Sequence, residues 1–196
     1  MEKKNITELN AVAAVMDSVF QQVDERWSVI WMPTEQALRA SGVKLEKSEF
    51  IKFNFSLAVL AANFRVAFDL FHPQQAERLF TILQQLLQKQ LGEGPAFAAV
   101  QSAIAKYMEA YNQGILQIHN PMLDVAMLLY YKIGLINTKQ NIVDETYFAP
   151  EPSMVDLLTR SLTMFLGKWE ILLERYVLVS AKMDMPEDDL PPNNEI

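Results

Sequence analysis

Between Ser48 and Phe71 the sequence SEFIKFNFSLAVLAANFRVAFDLF predicts one helix with two apolar faces. Phe50, Phe53, Leu57, Leu60, Phe64, Phe68 and Phe71 recur at helical spacing on one side, and Phe55, Val59, Ala62 and Val66 fall roughly opposite. A helix apolar on two sides cannot lie on a surface, so other helices must cover it from two directions. Lys52, Ser56 and Asn63 form a polar line on one flank, and Asn54, Arg65 and Asp69 form another. The spacing therefore predicts a central element of an all-α fold.

The rest of the chain supplies helices to surround it. Thr7 is an N-cap candidate for an amphipathic helix to Arg26, with Val12, Val15, Val19 and Val23 as its apolar stripe. Pro33 is expected to break the pattern, leaving a short helix from Thr34 to Ala40 before Gly42. His72-Pro73 closes the central helix and opens a third, whose stripe of Ala76, Leu79, Phe80, Leu83, Leu86, Leu87 and Leu91 ends at Gly92. Pro95 opens a fourth, and Asn120-Pro121 a fifth over Met122 to Ile133 that is apolar nearly all round. Residues 135–152 show no persistent period and read as a loop. From Ser153 to about Lys182 an unbroken 3,4 alternation (Val155, Leu158, Leu162, Phe165, Trp169, Leu172, Tyr176, Val179) predicts one long helix. Leu157, Met164, Ile171 and Leu178 form a second seven-residue line on it, wider than one neighbour can cover. The expected fold is an antiparallel bundle of about six helices in one domain over residues 7–183, without strand pairing. Residues 184–196 are expected to be an acidic, disordered tail.

Charge and composition exclude several classes of function. Five of the 24 acids fall in the last thirteen residues, so the remainder carries 19 acids against 17 Lys and Arg. A near-neutral body without a basic stripe argues against nucleic-acid binding. The absence of cysteine removes thiolate metal sites and cysteine nucleophiles, and a cytoplasmic location is the default expectation. Lys52, Arg65, Asp69 and Lys132 interrupt the longest apolar stretches, so no membrane span is expected.

Catalytic and metal-binding patterns were sought at the same level. His72 and His119 are the only imidazoles, and both sit at helix starts rather than in Glu-x-x-His or His-x-x-x-His spacing. No metal, haem or other cofactor is expected. There is no Gly-x-Ser-x-Gly elbow, and the six glycines make no phosphate loop. Glu170 and Glu174 read as solvated charge, so an enzyme is the least favoured reading.

Two readings remain. The first is a non-enzymatic interaction, scaffold or regulatory domain, as a homodimer or with another protein, using the surplus line Leu157, Met164, Ile171 and Leu178. Trp27 and Trp31 are interface candidates as well, unless they close the end of the bundle. The alternative is a domain binding an apolar or amphipathic small molecule between the central, fourth and fifth helices. Arg65, Asp69, Tyr107, Tyr111, Tyr130 and Tyr131 would supply its polar contacts. Arg65 and Asp69, four apart, can equally form an internal ion pair that leaves no charge for a ligand.

Overall fold

The predicted two-faced segment is helix α2, Ser48–Leu70, and it touches every other helix of the bundle. In the computed structural model, residues 3–40, 48–112, 121–135, 142–144, 147–148 and 152–180 are described. In chain order, strand β1 (Lys4–Thr7) leads into α1 (Glu8–Ala40), α2, α3 (Pro73–Leu91), α4 (Pro95–Asn112) and α5 (Pro121–Lys132). Strands β2 (Ile142–Asp144) and β3 (Tyr147–Phe148), helices α6 (Pro152–Thr163) and α7 (Lys168–Arg175), and strand β4 (Tyr176–Val179) complete the described elements. The fold is an all-α helical bundle. His119, most of the expected 135–152 loop and the acidic tail lie outside the described residues.

The middle of α2 is buried on all sides. Phe55, Leu57, Val59, Leu60, Ala61, Ala62 and Phe64 are at most 2% exposed. Its polar positions turn inward on their own backbone: Asn54 donates to the Phe50 carbonyl at 2.9 Å, and the Ser56 hydroxyl to that of Lys52 at 3.0 Å. The stretch Glu49–Leu70 is long and apolar enough to cross a membrane by length and composition, and 72% of its most apolar window is buried inside the bundle. Its ends differ from its middle, since Phe50 and Phe53 at the start are 47% and 41% exposed and Leu70 at the end is 42% exposed.

Three sequence expectations are corrected. First, α1 does not stop before Pro33 but runs through it to Ala40. Proline removes one backbone donor and crowds the carbonyl four residues back, here that of Val29. Val29 and Pro33 are both exposed, so that carbonyl faces solvent and the helix continues.

Second, the single helix expected from Ser153 to Lys182 is divided into α6, α7 and β4. Thr159 and Thr163 donate to the carbonyls of Val155 and Thr159 at 2.7 and 2.8 Å, loading the last turns of α6 with competing bonds. The turn then tightens, Phe165 N–H donating to Leu162 and Leu166 N–H to Thr163, and Gly167 takes a left-handed φ of 82°. Asn63 of α2 closes the break. Its amide donates to the carbonyls of Val59 and Phe165, both at 3.0 Å, and its oxygen accepts the Lys168 N–H at 3.1 Å. Trp169 is thereby set between Phe64 and Phe71, edge-on to both at centroid distances of 5.4 and 5.3 Å.

Third, strands do pair. The β-branched, aromatic run Tyr176–Val179 leaves helical geometry at Tyr176 and lies parallel to β1, in the register Lys4↔Tyr176 to Thr7↔Val179. Lys3 fastens the junction by donating to the Leu173 carbonyl at 2.7 Å. β2 and β3 form a short antiparallel pair inside the segment read as a loop.

Candidate functional site

Several openings are lined by described side chains. One groove, about 620 Å³, opens beyond the ends of β1 and β4 and is lined by Glu8, Leu9, Arg78, Thr81, Ile82 and Ser180 among others. Thr7 caps α1 by accepting from the Asn10 N–H at 3.3 Å, which places Glu8 in the first turn. The Glu8 side chain is 6% exposed and receives a fork from Arg78, Nη2 to Oε1 at 2.9 Å and Nε to Oε2 at 3.2 Å, with Gln75 adding a bond at 3.3 Å. The Arg78 hydrogen bonds hold the Glu8 pKa below its ordinary value against the opposing effect of burial, and Ser180 contributes in the same direction. This carboxylate is fully engaged, so it acts as a latch joining α1, α3 and the end of β4.

A second groove, about 390 Å³, runs between α4 and α5. Ala110, Met127, Leu128 and Tyr131 form its apolar walls, and Lys106, Glu109 and Asp124 bring charge to it. Asp124 lies in the first turn of α5, and its Oδ2 is shielded from solvent while accepting no hydrogen bond. Nearby, Lys132 lies 5.3 Å from the Tyr107 ring centroid, its pKa lowered by burial and by Lys106. The third groove, about 270 Å³, lies between α1 and α2. Phe20 and Phe53 line it, together with Lys52, which bridges Asp24 at 2.8 Å and Glu49 at 3.1 Å.

The structure distributes the candidate ligand residues over three places. Arg65 and Asp69 form the expected pair at 2.9 Å, with side chains 23% and 59% exposed. Tyr111 lies within their field; burial raises its pKa first, Asp69 and Glu170 add to the rise, and Arg65 opposes it. Tyr107 is instead fully buried with its hydroxyl unbonded, and burial drives its pKa far upward. Tyr130 is buried and meets Tyr131 edge-on at 5.9 Å, but only Tyr131 lines the α4–α5 groove. Among the described residues, the six side chains thus do not line one common groove. Successive residues on a helix point about 100° apart, which separates Tyr130 from Tyr131, and Tyr107 turns into the core.

The interface candidates also separate. Met164 and Ile171 are 61% and 52% exposed, Leu157 and Leu178 are half-buried, and the break at Gly167 takes them off a common line. Trp27 stacks on buried Trp31 at 5.4 Å and meets Phe55 edge-on at 5.8 Å, so the pair caps the core between α1 and α2. His72 is the N-cap residue of α3, where its backbone carbonyl accepts from Gln75 and Ala76 and its side chain makes no capping bond. Sequence reasoning missed the Glu8–Arg78 latch and the contribution of Asp124. The acid directly after the Thr7 cap was a readable signal for the latch, whereas nothing in the local pattern marks the shielding of Asp124. Comparisons with protein-family models, curated proteins and solved structures find no match for this chain.

Proposed function

We propose that this chain is a non-enzymatic helical interaction domain whose partner surface covers the start of α2, with a second copy of the chain as that partner. The supporting observation is the exposure of Phe50 and Phe53, one turn apart at the start of a helix whose middle is buried on all sides. Burying a phenylalanine is worth about 1.5–3 kcal/mol, so a surface that covers both gains substantially. The adjoining groove has an aromatic centre formed by Phe20 and Phe53 and a charged margin of Asp24, Glu49 and Lys52. That arrangement matches the apolar core and polar rim of protein interfaces. Size-exclusion chromatography with light scattering tests the reading on wild type and a Phe50→Asp/Phe53→Asp variant. The wild type should exceed the monomer mass of 22.4 kDa at micromolar concentration, and the variant should elute as a monomer with unchanged helical circular dichroism. A wild type that stays monomeric overturns it.

The α4–α5 groove favours a second reading, a domain that binds a small amphipathic molecule. Its volume of about 390 Å³ suits a small ligand, and it combines apolar walls with a few charged groups. Of the six side chains expected at such a site, it contains Tyr131.

A further inference from the structure

The groove beyond the ends of β1 and β4 follows one exposed stripe of α3. Gln74, Arg78, Thr81 and Gln85 recur at helical spacing on the side of that helix opposite the buried Ala76, Leu79, Leu83 and Leu87. At about 1.5 Å per residue this stripe is about 17 Å long. Glu77 and Ile82 fall on its two flanks, and Leu9, 49% exposed, adds apolar surface from the first turn of α1. Arg78 is taken up by the Glu8 carboxylate, whereas Glu77 forms no ion pair among the described residues. The rest of the lining is neutral, so its uncompensated charge is the negative one of Glu77.

The chain itself leads into this groove. β1 and β4 are parallel, so both leave the ribbon at the same end, one into α1 and the other through Ser180, which lines the groove beside Glu8. Residues 181–185, Ala-Lys-Met-Asp-Met, follow directly and lie outside the described residues. Extended at about 3.3 Å per residue they span about 17 Å, the length of the α3 stripe. Side chains of an extended chain alternate between two sides, which sets Lys182 toward one flank and Met183 and Met185 toward the other. The amides of Gln74 and Gln85 each carry a donor and an acceptor, suited to the N–H and C=O groups of an extended backbone. Pro186 then removes a backbone donor, and Glu187, Asp188 and Asp189 carry the same charge as Glu77, so the matching segment stops at Met185.

We propose that residues 181–185 dock in extended form in this groove of the same chain, the Lys182 ammonium paired with Glu77 and the two methionines laid against Ile82 and Leu9. A segment tethered at Ser180 docks without the loss of translational freedom that a separate peptide bears, which favours it over a free partner.

Amide and methyl NMR on the full chain tests the docking. Order parameters of residues 181–185 should lie near the rigid-backbone value of about 0.85 rather than below about 0.6. The Met183 and Met185 methyls should show NOEs to Ile82 and Leu9. Lys182→Glu sets two acids against each other, and it should lower the order parameters and remove the NOEs. Adding Glu77→Lys, at an exposed position of α3, should restore both. Wild-type order parameters below about 0.6 overturn the proposal. Order unchanged by Lys182→Glu overturns it too, since the segment is then held by something other than Glu77. NOEs that arise only between differently labelled chains of a mixed sample assign the groove to a second copy's residues 181–185 and overturn docking within one chain.

Discussion

Asn63 and Arg65 stand two residues apart on α2, and the fold uses them in opposite ways. Asn63 is 1% exposed and makes three hydrogen bonds, two of them across the break between α6 and α7. Arg65, its side chain 23% exposed, pairs with Asp69, which is 59% exposed. In the first case a neutral amide replaces bonds that a broken helix loses. In the second an ion pair remains in contact with water, which screens it. Polarity on a central helix thus acquires structural weight from what it satisfies after burial, and formal charge matters less.

The largest test of this contrast is Asn63→Ala. It strands the Phe165 carbonyl and the Lys168 N–H away from water, and each buried unsatisfied group costs about 1–3 kcal/mol. The expected loss is therefore roughly 2–5 kcal/mol by chemical denaturation. A loss below about 1 kcal/mol would mean that the break holds itself together without α2.

Glu8→Gln comes next, since it weakens a shielded charge-assisted fork. We expect it to cost about 1–3 kcal/mol at neutral pH. The folded-state pKa of Glu8 lies below its ordinary value of 4.5, so its ionised form stabilises the fold fully above that value. That contribution disappears as pH falls through the lowered folded pKa. Stability of the variant should accordingly change less than wild type below pH 4.5, and parallel acid-unfolding curves would contradict the latch.

Gly167→Ala tests the corner itself. A β-carbon there meets only Glu170 Oε2, at an ordinary 3.8 Å, so the cost comes from the left-handed backbone and should be about 1–2 kcal/mol. Asp69→Asn should have the smallest effect, about 0.3–0.5 kcal/mol, and should vanish at high salt. If Asp69→Asn cost as much as Asn63→Ala, the distinction between the two polar lines would fail.

Much of the fold was legible because its helices carry strong local signals. The double periodicity of α2 identified the hub, and Pro73, Pro95 and Pro121 each begin a helix where proline at the first turn predicts one. The long C-terminal helix was misread for a physical reason. The 3,4 alternation through Phe165 and Trp169 is genuine burial, but both residues reach the core from either side of a corner whose bonds are completed by a residue about a hundred positions earlier. Strand β4 shares the difficulty, because Tyr176 and Val179 suit either a helix stripe or a strand until β1 is present to pair with them. The candidate site was less legible still. Tyr131 does reach a groove, but the shielding of Asp124 depends on how α4 and α5 meet.

The pairing of β1 with β4 has a consequence for the order in which the molecule is made. Lys3 and Leu173, which fasten that ribbon, are 170 positions apart, so β1 leaves the ribosome long before the strand it pairs with. Loop closure over such a distance brings an entropic cost before its contacts repay it, and topology of this kind slows the final step of folding. The helices can assemble during synthesis around α2, while Lys4–Thr7 waits for Tyr176–Val179 to emerge. The ribbon therefore forms only after synthesis has passed Val179.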